Sequence, residues 1–149
     1  MMNHQQIAGD LFLQGYNCAQ AVFLAFADVT GFDKETALKL SSSFGAGMGC
    51  LREVCGAVSG AFMVAGLLWG YDELNDARKK EHYDLVQEIA RRFEEKNHTI
   101  ICRDLLKEVA GGGLPTPSVR DAEYYKKRPC VRFVEDAAAI LDELIEEKK

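Results

Sequence analysis

The feature that most constrains the fold is an unbroken apolar stretch, VCGAVSGAFMVAGLLWGY, over residues 54–71. As a helix it is apolar on every side, so no face of it suits water. Such a helix belongs either in a bilayer or in the middle of a bundle whose other helices turn apolar stripes inward. Its length lies at the lower limit for a membrane span, and Gly56/Gly60 and Gly66/Gly70 both show the GxxxG spacing that lets membrane helices approach closely. The remaining segments favour the bundle. Val86, Ile89 and Phe93 share one face of a helix expected over residues 75–96, and Val134, Ala138, Leu141 and Ile145 share one face of a helix over residues 130–147. Phe12, Phe23, Phe26, Phe62, Trp69 and Phe93 read as packing for the same core.

Helix punctuation marks most of the other elements. A first helix over residues 4–14 stops at Gly15. Asn17 caps a second, reaching residue 29, with Gln20 placed to complete a capping box and Gly31 to end it. Asp33 opens a third through residue 43. The segment FGAGMGC, residues 44–50, is too rich in glycine for a helix interior and reads as a tight structural loop. It lacks the lysine and hydroxyl of a phosphate-binding loop. The apolar helix then covers residues 53–70, and Thr99 caps a short helix through residue 109. Within the Gly- and Pro-rich residues 110–129, Ser118 is expected to cap a short helical piece with Asp121 at its third position. Strand-like alternation is nearly absent. These signals predict an all-α fold: one domain over residues 1–149, a bundle of about six or seven helices around the central apolar helix.

Charge and termini limit the function classes. The 18 basic and 23 acidic residues give a net charge of −5, which argues against nucleic-acid binding. The first ten residues lack the basic-then-apolar pattern of a secretory signal, so a cytoplasmic location and no membrane association are expected. Cytosolic thiols stay reduced unless they are catalytic, sensing or metal-bound.

Five cysteines occur: Cys18, Cys50, Cys55, Cys102 and Cys130. Cys18 follows the cap Asn17, Cys55 falls in the first turn of the apolar helix, Cys102 follows Thr99 closely, and Cys130 follows Pro129, a residue favoured at helix starts. A first helical turn offers free N–H groups and the positive end of the dipole, which favour a thiolate and should lower the thiol pKa. Arg52, Arg103 and the KKRPCVR cluster around Cys130 add positive charge nearby. Free cysteine also serves as a small buried hydrophobe, and no C-x-x-C pair is present. Gly56 removes a side chain beside Cys55 and Gly60 clears the next turn of the same face. Together they would admit another cysteine-bearing helix, although packing alone would also explain them. His4, His82 and His98 read as surface residues.

The segment Cys55-Gly56-Ala57-Val58-Ser59-Gly60 reads CGAxxG, with Cys18 upstream and Cys102 and Cys130 downstream. With GYNCAQAV around Cys18 and FGAGMG before the motif, the chain resembles the redox-active protein family named for its C…GCAxxG…C…C pattern. The resemblance spans nearly the whole chain. It implies that Cys18, Cys55, Cys102 and Cys130 are the functional cysteines and that Cys50 is extra. It brings no established reaction or substrate.

Three readings follow. In the first, Cys55 and one or more of Cys18, Cys102 and Cys130 converge at one end of a bundle and cycle between dithiol and disulfide with a redox partner. Cys130 or Cys102 is then the nucleophile and Cys55 the resolving thiol, with the pairing left open. In the second, the same four thiolates bind zinc or an iron–sulfur cluster. Their wide separation in sequence counts against this, since such ligands usually come partly in close pairs. In the third, the chain is a helical interaction module with scattered structural cysteines.

Overall fold

The computed structural model describes residues 3–109 and 112–149, with the side chains of Lys126 and Lys127 outside that set. The chain is all-α, as expected. Its elements are α1 (His4–Gln14), α2 (Cys18–Ala25), α3 (Ala27–Thr30), α4 (Lys34–Ser42), α5 (Gly45–Met48), α6 (Gly56–Trp69), α7 (Asp76–Asn97), α8 (Cys102–Leu105), α9 (Ala122–Lys127) and α10 (Cys130–Glu147). The element α5 is a single left-handed turn, so the described residues form nine right-handed helices rather than six or seven.

Local rules set most of the boundaries. The Asn17 side chain accepts from the Gln20 N–H while Gln20 Oε1 accepts from the Asn17 N–H, the expected capping box. Asp33 and Asn75 cap α4 and α7 through their side chains. Gly15 and Gly31 adopt left-handed conformations after α1 and α3. The expected second helix breaks at Phe26, which turns out of helical geometry (φ −100°, ψ 16°) and divides it into α2 and α3. Asp121, not Ser118, caps α9, its side chain accepting from the Tyr124 N–H. The expected loop over residues 110–129 begins on Ala110 and Gly111, which lie outside the described residues.

Helix α2 lies innermost, packed on α1, α4, α6 and α10, while α10 also closes on α1, α6 and α7. Phe12, Phe23, Phe26 and Phe93 are fully buried between these helices. Each such side chain contributes about 1.5–3 kcal/mol relative to an exposed one. The apolar helix α6 is central only through its first turns. Gly56 to Ala61, Val64 and Ala65 are buried, but Leu67 is 46% exposed and Trp69 only half-buried. Among the described residues no helix is long and apolar enough to cross a membrane.

The surface reading of the histidines fails at His4, which is buried. Its ring stacks on Phe26 at 4.1 Å, and its two nitrogens lie 2.7 Å from Asp142 and 2.9 Å from Asp28. One side chain thus ties α1 to α3 and α10.

Candidate functional site

Helix starts converge on one cavity. Cys18, Cys102 and Cys130 are the first residues of α2, α8 and α10, and Cys55 is the residue before α6. All four, together with Cys50, line a cavity of about 370 Å³.

Each cysteine is placed by its own device. Cys18 follows the Asn17 capping box, and Cys130 follows Pro129 at the head of α10. Cys55 was expected within the first turn of the apolar helix, but residues 53–55 are extended instead. Val54 bridges Ile101 in antiparallel fashion, the Cys55 N–H donates to the Ile100 carbonyl at 2.7 Å, and the Cys102 N–H donates to the Glu53 carbonyl at 2.6 Å. These bonds satisfy groups that would otherwise begin the helix earlier. Side chains alternate faces along extended chain, so Cys55 and Cys102 share the face opposite Val54 and Ile101.

The glycines of CGAxxG bring α2 onto α6. A Cβ at Gly60 would lie 2.9 Å from the Ala19 carbonyl oxygen and 3.1 Å from Val22 Cβ. A Cβ at Gly56 would lie 2.5 Å from Cys18 Sγ. The missing side chains therefore admit the helix that carries the second cysteine, seating its sulfur against the residue next to Cys55. Gly66, which only repeats the spacing, would meet nothing within 4 Å.

The expected glycine loop is the left-handed turn. Ala46, Gly47, Met48, Gly49 and Cys50 all have φ between 55° and 72°, and Arg52 has φ 61°. Left-handed geometry costs a non-glycine residue of order 1–2 kcal/mol, and Ala46, Met48, Cys50 and Arg52 each incur it. Hydrogen bonds from the Gly49 N–H to Gly45 (2.8 Å) and from the Glu53 N–H to Gly47 (2.9 Å) hold the turn. At Gly47 any Cβ would collide with the Arg52 backbone and with Cys102 Cβ, both 2.7 Å away. The strained segment aims Cys50 and the Arg52 guanidinium into the cavity. Arg52 Nη1 lies 3.8 Å from Cys102 Sγ, while its Nε donates to the Leu114 carbonyl at 3.0 Å.

Burial reverses the expected thiolate character. Desolvation pushes the Cys55 thiol well above the ordinary cysteine range, and the Cys18 and Cys130 thiols push the same way. The Ala57 and Val58 N–H groups at the start of α6 oppose this and lose. Cys102 is also raised by burial, against the pull of Arg52. Cys130 is pushed up to about 12 by burial and then by Cys18, against Arg128 and Arg120. A charge in a cavity wall loses more hydration than a helix end returns. Cys18 is the common neighbour: it pushes Cys55, Cys102 and Cys130 upward alike. Of the expected basic neighbours, Arg128 lines the cavity, while Arg103 turns away to Glu53 (3.1 Å) and Arg132 lies over the Phe133 ring. The Lys126 and Lys127 side chains lie outside the described residues. Arg120, which the sequence did not single out, joins the cavity wall from between α8 and α9.

These raised values carry a stability consequence. The folded Cys130 thiol keeps its proton until about pH 12, whereas the unfolded one releases it near the ordinary value of 9.0. Between those limits the unfolded state binds fewer protons, so unfolding becomes easier as pH rises. Below that window the contribution is complete. Tyr124, raised by burial from 10.0 to about 12, acts in the same direction. Denaturation midpoints measured upward from about pH 8 should stay level and then fall above about pH 9. Cys130→Ala should flatten that fall.

Among the described residues, no three His, Cys, Asp or Glu side chains are placed to hold a metal ion, so the zinc or iron–sulfur reading gains no support from geometry. Comparison with protein families matches residues 16–144 to the one described as putative redox-active protein (C_GCAxxG_C_C). That label writes Gly before Cys, whereas this chain has Cys55-Gly56. No curated protein and no solved structure matches.

Proposed function

The chain belongs to the C_GCAxxG_C_C redox-active family, and from that premise we propose that it exchanges a Cys18–Cys55 dithiol for a disulfide with a disulfide-bearing substrate. The single observation that supports this is the placing of Cys18, Cys55, Cys102 and Cys130 around one cavity. We place the first attack on Cys18 rather than on Cys130 or Cys102, whose thiols desolvation pushes up. Cys18 and Cys130 are both only partly buried, and Cys18 is the one that acts on the other three thiols.

The step balances without a cofactor. The Cys18 sulfur attacks one sulfur of the substrate disulfide, forming a mixed disulfide and releasing the first substrate thiol. Cys55 then attacks Cys18 Sγ, closing the protein disulfide and releasing the second. The two protein thiols are oxidised, the substrate disulfide is reduced, and the two protons lost by the protein end on the released thiols. Cys102 and Cys130 remain as thiols that shape the cavity.

Thiol counting with metal analysis on anaerobically purified protein tests this. Reduced protein treated with a small disulfide is expected to lose two thiols per chain and to contain no stoichiometric metal. An unchanged thiol count, or zinc or iron bound in proportion to the chain, would overturn the reading.

A further inference from the structure

The cavity's charge is unusual for an acidic protein. Arg52, Arg120 and Arg128 line it, and among its described lining residues there is no Asp or Glu. Arg52 is only 5% exposed. Its guanidinium meets the carbonyls of Leu114 and Thr116 and the Cys102 sulfur, and no carboxylate among the described residues. Arg120 donates to the Phe12 carbonyl at 3.0 Å, stacks over the Phe12 ring at 4.3 Å, and likewise has no carboxylate partner among the described residues. A buried guanidinium without a counter-charge is costly. Here a strained backbone at Arg52 holds one in place. Phe12, Leu105, Leu106 and Phe133 supply apolar wall between the charges, and the volume suits a small organic molecule.

Resting on the thiol-exchange reading above, we propose that the substrate is a small organic disulfide carrying carboxylates, which Arg52 and Arg120 bind as counter-ions while its sulfurs face Cys18. Guanidinium forks match carboxylates in both charge and geometry. The chemistry is the exchange already described, with the two released thiols each keeping its carboxylate.

A charge series on the wild-type protein provides the test. Dithiodiglycolate, hydroxyethyl disulfide and cystamine are anionic, neutral and cationic. Each rate of thiol loss is divided by that disulfide's rate with free 2-mercaptoethanol, an uncharged thiol, which removes intrinsic reactivity. The normalised rate should be roughly ten-fold or more higher for dithiodiglycolate than for hydroxyethyl disulfide, with cystamine slowest. Arg120→Gln should shrink the anionic-to-neutral ratio several-fold, as should Arg52→Gln if it folds. Adipate, the carbon analogue of dithiodiglycolate, separates binding from redox: it should raise the melting temperature of the wild-type protein where hexanediol does not. Equal normalised rates together with no adipate effect would overturn the anion proposal and leave thiol exchange standing. Adipate binding without thiol loss to any disulfide would overturn the exchange reading and keep the anion site.

Discussion

Gly60→Val is expected to destabilise the protein by about 2 kcal/mol or more, whereas Gly66→Ala on the same helix should stabilise it by up to about 1 kcal/mol. The two glycines differ in what they face. At Gly60 a new Cβ would meet the Ala19 carbonyl at 2.9 Å and Val22 Cβ at 3.1 Å. Both belong to the buried innermost helix, so neither can yield without moving α2 off α6. Gly66 is exposed with nothing within 4 Å of its would-be Cβ, so alanine there only removes backbone entropy from the unfolded chain. Urea denaturation of the two variants checks the opposite signs. A Gly60→Val protein as stable as the wild type would mean that the motif's spacing does not set the distance between α2 and α6. Gly56→Ala adds a functional readout. Its Cβ would press on Cys18 Sγ at 2.5 Å and also on the Phe44 carbonyl and the Ala19 N–H, at 3.0 and 3.1 Å, so both thiol oxidation and stability should fall.

Features written in neighbouring residues were legible in the sequence. The Asn17–Gln20 capping box, the Asp33 cap, the start of α10 at Cys130 and the crowding role of Gly56 and Gly60 follow from local rules. What escaped depends on partners far along the chain. Helix α6 starts late because Val54 pairs with Ile101, and His4 is buried because Asp28 and Asp142 reach it. The left-handed turn places Ala46, Met48, Cys50 and Arg52 where local preference would not, with Gly47 fitted against Arg52 and Cys102. Arg120 reaches the cavity over Phe12, a contact that sequence spacing does not suggest. The same limit explains the thiols. The helix starts at Cys18 and Cys130 were read correctly, and with them the local term that lowers a pKa, whereas α6 begins just after Cys55 and α8 begins at Cys102 after Ile101 rather than at a Thr99 cap. The opposing term, burial in a shared wall, exists only once the chain has folded.

Cys18→Ser is expected to abolish the two-thiol loss entirely. Serine keeps the size and hydrogen-bonding character of the first residue of α2, so the capping box and the packing against Gly56 should survive while the sulfur is removed. If Cys18 is the thiol through which the others communicate, no remaining pair should close a bond within the cavity. Cys55→Ser should instead stop at the mixed disulfide, losing one thiol and gaining the mass of half the substrate, because Cys55 is the thiol that would resolve it. Cys50→Ser should leave the two-thiol loss intact, since the left-handed turn delivers that sulfur to the wall without making it part of the pair. Cys130→Ser discriminates further. Cys18 raises the Cys130 thiol as well as the Cys55 thiol, so preserved oxidation in this variant assigns the bond to Cys55, and lost oxidation reassigns it to Cys130. Mass-spectrometric thiol counting after oxidation reads each case. A Cys18→Ser protein that still loses two thiols would show Cys102 or Cys130 exchanging without Cys18 and would place the reactive centre elsewhere on the cavity wall.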